Sequence, residues 1–339
     1  MRTTRLPKPF AYLPILVLFL IPTFIQDPYI LHVLIMSGIA VILASSLRVV
    51  ANTGLLSLGQ GGLMSMGAYT SALVVMKLGF STWAGLALGA VVAGLTALAV
   101  GFPFVRIKGM YFALVTVFLA EIIRIITEQW KDLTGGSFGI QAIPKPEPIV
   151  IPGLLNITFT SKENLFYLVL ILTLFTLLVL YILERSRINM AFLSIQQADF
   201  LAESVGMNKA SLKVLAFVIG CTFAGLAGAF YSQYMAVITP STFAFLYNIY
   251  IFIYVAVGGM KRFSGPIVGA IVLTFLPEAA RVLKEYQPYL FVAVTMLTVY
   301  FMPEGLVGLP QRIRQLYRKV FKNAGDQRLN QELRGANGG

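Results

Sequence analysis

A glycine-rich stretch is the first feature of this sequence whose residue types suggest chemistry. Residues 52–69, NTGLLSLGQGGLMSMGAY, hold five glycines and no charged side chain. Each glycine costs roughly 1 kcal/mol relative to alanine inside a helix, so the cluster needs a structural reason. Two explanations are open. Either the stretch interrupts a helix and offers hydrogen bonds from its backbone and the Gln60 amide, or its glycines permit close helix packing.

Glu121 and Arg124 form the acid–base pair that the sequence places deepest in an apolar run. Their i, i+3 spacing puts both side chains on one face of a helix, where they can pair with each other. The pair therefore either neutralises itself near the end of the run or contacts a zwitterionic solute.

The motifs of several enzyme classes are absent from the 339 residues. The sequence contains no G-x-x-x-x-G-K-[ST] loop for nucleotide phosphates, one histidine, His32, and one cysteine, Cys221. It offers no cluster of metal ligands and no set of catalytic residues. We therefore predict a protein that is not itself an enzyme and has neither a metal site nor another cofactor.

The composition indicates that lipid surrounds most of the chain. Hydrophobic residues make up 58% and charged residues 12%, whereas a soluble domain carries about 25% charged residues. The apolar residues form runs close to the ~20 residues that cross a bilayer as a helix. The sequence predicts an all-α fold, a polytopic membrane bundle of about eight to ten transmembrane helices.

Ten apolar runs are candidate spans. They cover residues 10–24, 31–47, 63–78, 83–105, 110–126, 165–183, 212–234, 243–260, 266–280 and 289–302. We predict one transmembrane domain over residues 1–310 and a basic, partly disordered cytoplasmic tail over residues 311–339.

The distribution of Lys and Arg predicts the orientation. The formal net charge is +12, and ten spans with both termini inside would place 19 cations on the inner side and 7 on the outer side. Cations accumulate in cytoplasmic loops, so we predict cytoplasmic termini. The positive charge then favours membrane lipid as a partner and argues against nucleic acid.

Two long loops stand out. In the inner loop, 184–211, Phe200, Leu201 and Val205 share one face of a predicted short amphipathic helix that ends at Gly206. In the outer loop, 127–164, the run Thr134, Gly135 and Gly136 predicts a turn.

Small residues also recur at every fourth position of one span. They are Ala216, Gly220, Ala224, Gly228 and Ser232. Such a stripe predicts close helix packing, within this chain in preference to a partner.

Taken in order, several segments resemble one known family. GLLSLGQGGLMSMGAYTSAL, RIKGMYFALVTVFLAEIIR, LTGGSFGIQAIP, ADFLAESVGMN and GGMKRFSGPIVGA are similar to the permease subunits of bacterial branched-chain amino-acid ABC importers, specifically the second of their two paired permeases. The resemblance covers roughly residues 31–309. It implies a type II ABC importer permease fold in the bacterial cytoplasmic (inner) membrane.

The resemblance also implies partners and a docking segment. The partners are a second homologous permease subunit, two ATP-binding subunits and a periplasmic or lipid-anchored substrate-binding protein. The inner loop would couple to the ATPases through positions that match the family's motif, namely Asp199, Ala202, Glu203 and Gly206. Gln196 and Gln197 stand where the family is expected to have a charged Arg-Glu pair, so docking there relies less on salt bridges.

With this resemblance, the chemistry of the first two features becomes specific. We expect Gly59, Gln60, Gly61 and Gly62 to interrupt a helix and lie against a translocation path, and Glu121 and Arg124 are further candidates for that path. The expected function is passage of branched-chain amino acids, with ATP hydrolysed by separate subunits. Urea, short amides or another small solute are alternative substrates. An ion-coupled secondary transporter is disfavoured because deep carboxylates are scarce.

Overall fold

The computed structural model describes Pro22 and residues 27–107, 109–151, 155–279, 287–301 and 305–308. The predicted first span, 10–24, lies outside the described residues apart from Pro22, and the predicted tail, 311–339, lies wholly outside them.

The described chain is mainly helical. Four longer helices precede the outer loop, α1 (Pro28–Ala51), α2 (Gln60–Leu78), α3 (Thr82–Phe104) and α4 (Met110–Gln129). The longer helices after it are α6 (Lys162–Arg185), α7 (Arg187–Gln197), α9 (Lys209–Met235), α10 (Phe245–Gly258), α11 (Ser264–Ala279) and α12 (Gln287–Phe301). Two helices are short, α5 (Lys131–Thr134) and α8 (Asp199–Ser204). Four strands of two or three residues are β1 (Ile140–Gln141), β2 (Ile149–Ile151), β3 (Leu155–Ile157) and β4 (Val237–Ile238).

Six helical segments within the described residues are long and apolar enough to cross a membrane. They are α1, α3, α4, α6, α9 and the segment Pro240–Gly258, which joins a 3₁₀ turn to α10. Helices α2, α11 and α12 correspond to three further predicted spans. The predicted polytopic helical fold is confirmed.

Polar caps explain why several helices begin before the apolar runs that predicted them. Ser161 starts α6 by accepting a hydrogen bond from the Asn164 N–H (3.3 Å). Asp27 does the same for α1 through the Tyr29 N–H (2.8 Å). A cap satisfies backbone donors that the first turn leaves without partners, so the helix extends into polar sequence.

Helix α9 packs closely against α2 because glycines remove side chains from the contact. A Cβ at Gly228 would overlap the Met64 carbonyl, and one at Gly225 would lie 2.7 Å from the Gly89 carbonyl of α3. Cys221, on the same helix, is fully buried. The predicted packing of the small-residue stripe within the chain is confirmed for two of its members. Gly220 contacts α1, and Gly228 contacts α2.

The inner and outer loops lie at opposite ends of α1, a helix about 36 Å long at 1.5 Å per residue. At one end, called the arm end below, Asn52 binds Asn189 of α7 (3.1 Å). At the other, Lys162 donates to the Pro28 carbonyl (3.0 Å).

The short strands lie at the end of α1 opposite the arm end. There β1 pairs antiparallel with β4, with Ile140 opposite Ile238, and β2 pairs with β3. The β1–β4 pair ties the outer loop to the residues that follow α9, the β2–β3 pair lies within the loop, and both leave the helical class of the fold unchanged.

Candidate functional site

The non-helical break in the glycine-rich stretch ends at Gly59, whereas the sequence predicted an interruption over residues 59–62. Helix α1 ends at Ala51, residues 52–59 are not helical, and Gly59 is the N-cap of α2. Gln60, Gly61 and Gly62 therefore form the first turn of α2 instead of interrupting it. First-turn N–H groups have no acceptor within the helix, and the Gly61 N–H donates to Oδ1 of Asn248 on α10 (2.7 Å).

The glycines of this turn allow α2 to approach α4 and α10. A Cβ at Gly59 would overlap the Thr116 carbonyl, and one at Gly62 would lie 2.5 Å from the Ala120 Cα. A Cβ at Gly61 would lie 2.9 Å from Asn248 Oδ1. Close packing therefore accounts for these glycines, and their position against a translocation path stays a prediction.

The Gln60 side chain joins three helices. It is 1% exposed, and its Nε2 donates to Ser46 Oγ on α1 (2.9 Å) and to the Gly220 carbonyl on α9 (3.0 Å). Its Oε1 has no hydrogen-bond partner among the described residues. The amide thus bonds to α1 and α9 and keeps one acceptor for water or a solute.

Two buried hydroxyls on α2 were not anticipated from the sequence. Ser65 and Tyr69 follow Gly61 at i+4 and i+8, which puts all three on one face. Neither Ser65 Oγ nor Tyr69 OH has a partner within the described part of the chain. Buried polar groups usually bond to protein or ordered water, so this face is where water or a polar solute would be stabilised.

Glu121 and Arg124 pair with each other, as their spacing predicted, and a third residue joins them. Arg124 Nη2 lies 2.6 Å from Glu121 Oε1, and Nη1 lies 2.7 Å from Glu128 Oε2. All three side chains are partly exposed on α4, beside the exposed Ile122 and Ile125. Glu128 was not predicted as a member of this group, although its i+4 spacing from Arg124 could have identified it. The triad carries a formal charge of −1.

The predicted amphipathic helix of the inner loop is two helices, α7 and α8, which together are called the arm. The backbone breaks at Ala198, where φ is −153° and ψ is 82°. The three predicted apolar side chains, on α8 and its C-cap Val205, are largely exposed, Phe200 at 76%, Leu201 at 69% and Val205 at 73%. Leu201 and Val205 border a groove of about 350 Å³ between the two arm helices.

The four arm residues that match the family's motif have separate local roles. Asp199 accepts a hydrogen bond from Lys213 Nζ (3.1 Å), and Glu203 accepts one from Lys209 Nζ (2.5 Å). Ala202 is buried. Gly206 has φ +83°, its N–H bonds to the Glu203 carbonyl, and the next N–H bonds to the Ala202 carbonyl. The predicted helix end at Gly206 is confirmed as a Schellman motif.

The predicted turn of the outer loop is present. Gly135 and Gly136 have φ of +77° and +62°. Thr134 is buried, and its Oγ1 lies within hydrogen-bond distance of the carbonyls of Thr127 (2.5 Å) and Trp130 (2.7 Å), either of which can accept its one proton. The Gly135 N–H bonds to the Lys131 carbonyl (3.0 Å), so this donor closes the turn instead of facing a ligand.

A second ion pair, which no local spacing signalled, lies at the arm end. Arg48 of α1 binds Glu184 through two hydrogen bonds of 3.0 and 2.8 Å. Its Nε also donates to the Met260 carbonyl (3.0 Å).

Among the residues described, no group of three or more His, Cys, Asp or Glu is placed to hold a metal ion.

Residues 29–303 match the family model described as the permease component of branched-chain amino acid transport systems. The chain belongs to this permease family. The match extends from the first turn of α1 through α12, so it includes the α2–α4 contact and the arm.

Curated relatives agree with this assignment. The permease is 28% identical over 279 residues to the high-affinity branched-chain amino acid transport system permease protein LivM of Salmonella typhimurium, which covers 77% of this chain and 65% of the relative. LivM of Escherichia coli K12 matches with the same identity and coverage. LivH of Escherichia coli K12 is 24% identical over 268 residues, covering 73% of this chain and 83% of the relative. The permease thus spans 65% of the length of the LivM relatives. No solved structure matches it.

Proposed function

We propose that this permease forms half of the translocation path of an ABC importer for branched-chain amino acids. Its partners would be a second homologous permease, two ATP-binding subunits and a periplasmic or lipid-anchored substrate-binding protein. The arm end and both termini would face the cytoplasm of a bacterial cell. Similarity to LivM and LivH, two differently named permease proteins of such transport systems, supports the substrate and the paired permease.

The observation that carries the proposal is the exposed apolar face of α8. Phe200, Leu201 and Val205 lie on a polar, interhelical loop, while α7 beside them is anchored by the buried Phe192 and Ile195. A firmly seated segment that presents an apolar patch is typical of a protein interface. Asp199 and Glu203 flank this patch, and the buried Ala202 and the turn at Gly206 would support its shape.

The candidate path residues of α2 and α4 lie close to one another. Gly59 and Gly62 contact α4 at Thr116 and Ala120, directly before Glu121. We infer that the path passes this part of α2 and α4, with Gln60 holding the first turn of α2 in position. The triad around Arg124 would bind the charged groups of an amino acid by exchanging its internal ion pairs for ion pairs with that solute.

Transport assays of the assembled complex test the proposal. The tagged permease is copurified with its ATP-binding subunits and partner permease, placed in vesicles with the binding protein, and supplied with ATP and labelled leucine. We expect ATP-dependent leucine uptake that exceeds uptake of labelled urea or acetamide. Preference for urea or acetamide would favour the alternative substrates. Uphill uptake by the permease alone on a proton or sodium gradient would overturn the importer assignment.

Two variants test the path itself. Gly61→Leu would clash with Asn248, and Gln60→Ala would remove both amide hydrogen bonds. We expect reduced uptake in each, with Gly101→Ala as the control because a Cβ there lies 3.4 Å from its nearest neighbour. Normal uptake in both variants would remove this part of the proposal.

A further inference from the structure

The arm is attached to α1 by a group of polar contacts at the end of α1 that leads into the non-helical break. Asn52 Nδ2 donates to Asn189 Oδ1 (3.1 Å), and Gln196 Nε2 donates to the Ala51 carbonyl (3.1 Å). Asn52 and Asn189 are both buried. The arm therefore holds the last turn of α1 through two side-chain amides.

The Arg48–Glu184 pair extends this group to two further segments. Glu184 lies in the last turn of α6, three residues before α7 begins, and Asn189 Nδ2 donates back to its carbonyl (3.2 Å). Arg48 also donates to the Met260 carbonyl (3.0 Å), in the connection between α10 and α11. Arg48 thus joins α1, α6 and the α10–α11 connection, and its contact with Glu184 is bidentate. Such a contact has strict geometry and is strongly directional.

A cavity of about 380 Å³ adjoins these contacts. Seven of its nine lining residues are polar or charged, among them Arg48, Asn52, Glu184, Asn189, Gln196 and Lys261. Hydrogen bonds beside such a cavity can be exchanged for bonds to water, which makes a second arrangement accessible at small cost. Phe192, by contrast, is fully buried and keeps α7 seated.

We propose that Arg48, Glu184, Asn52 and Asn189 are positioning residues that transmit movement of the arm to the start of α2. The covalent route is short, because Asn52 opens the break that ends at Gly59, the N-cap of α2. Displacement of α7 shifts Asn52 and, through residues 53–59, the Gln60 turn. This inference rests on the proposed function, since the ATP-binding subunits supply the movement.

The test separates ATP hydrolysis from uptake in vesicles that contain the complete complex. We expect Glu184→Gln and the Asn52→Ala/Asn189→Ala double variant to keep ATP hydrolysis within about twofold while leucine uptake per ATP falls about tenfold, a size typical of coupling between sites. The charge-exchange variant Arg48→Glu/Glu184→Arg should recover part of the ratio lost in either single charge reversal. Lys77→Gln, which removes a contact to the Asp132 carbonyl at the opposite end, is the matched control and should leave the ratio unchanged.

Two outcomes would overturn the inference. One is a parallel loss of hydrolysis and uptake, which would show that these residues only maintain the fold or the subunit contact. The other is an unchanged ratio in all arm-end variants. If the unmodified complex contains no ATP-binding subunit or shows no ATP-dependent uptake, the proposed function itself fails, which is a separate result. If Glu184→Gln does not fold, the Asn52/Asn189 pair tests the same link without leaving a charge unpaired.

Discussion

The contact between α2 and α9 differs in kind from the contact between the arm and α1. In the first, Gly67 and Gly228 bring backbone against backbone, with no room for a methyl group. In the second, Asn52, Asn189 and Gln196 join the helices through side-chain amides beside a polar cavity. The first contact has no alternative arrangement, whereas the second can exchange its partners. The difference indicates which part of the molecule remains a rigid body while another part moves.

The largest expected effect breaks the rigid contact. Gly228→Leu would drive a side chain into the Met64 carbonyl, and overpacking at a backbone contact should cost more than about 3 kcal/mol. We expect little monodisperse protein after extraction into detergent, measured by size-exclusion chromatography. Gly101→Ala on α3, where space exists, should give normal yield. Normal yield of Gly228→Leu would show that α2 and α9 can separate.

The next prediction compares two phenylalanines of the arm. Phe192→Ala removes a fully buried ring and should lower the free energy of unfolding by about 3–5 kcal/mol. Phe200→Ala removes an exposed ring and should leave the thermal unfolding midpoint of the isolated permease unchanged while weakening attachment of the ATP-binding subunits. Copurification measures the second effect. Equal loss of stability in both variants would contradict the proposal that α8 forms the interface.

A smaller effect is expected at the end of α8. Gly206 has φ +83°, where alanine costs about 1–2 kcal/mol, although no atom lies within 4 Å of an added Cβ. Gly206→Ala should speed amide hydrogen exchange over residues 199–206 without changing exchange in α9. Asn at this position tolerates the left-handed conformation better and should be intermediate. Unchanged exchange in the alanine variant would mean that the Schellman turn does not stabilise α8.

The smallest effect concerns the start of the arm. Ser186 caps α7 by accepting from the Asn189 N–H at 3.4 Å, a long bond, so Ser186→Ala should cost about 0.5 kcal/mol, the low end for a cap. Hydrogen exchange in the first turn of α7 would report it. Ser161→Ala at the start of α6 is the matched cap variant outside the arm and should not affect α7. A change that spreads beyond the first turn would contradict a purely local role.

Much of the helical architecture could be predicted because lipid leaves few alternatives for an apolar run. The nine predicted spans that fall on described residues each begin within three residues of an observed helix. The small-residue stripe likewise predicted close packing, since only glycine permits the contact at Gly228. The deviations at helix starts came from polar caps such as Ser161, which lie outside the apolar periodicity.

The functional geometry was less predictable because it joins residues far apart in the chain. The pair Glu121 and Arg124 was found from local spacing, and Glu128 could have been found in the same way. Arg48 and Glu184 are 136 residues apart, and Asn52 and Asn189 are 137 apart. No local period connects such positions. The break before α2 was misplaced because glycine is as compatible with a capped first turn as with an interruption.

Cys221 has a practical consequence that follows from its complete burial in α9. It is the single cysteine of the sequence, and water-borne maleimides would find no reactive thiol on the folded native chain. A cysteine introduced at the exposed Phe200 or Phe138 would then be labelled alone, without first removing the native residue. The proposed orientation predicts that an impermeant reagent applied to intact cells modifies the Phe138 site and spares the Phe200 site.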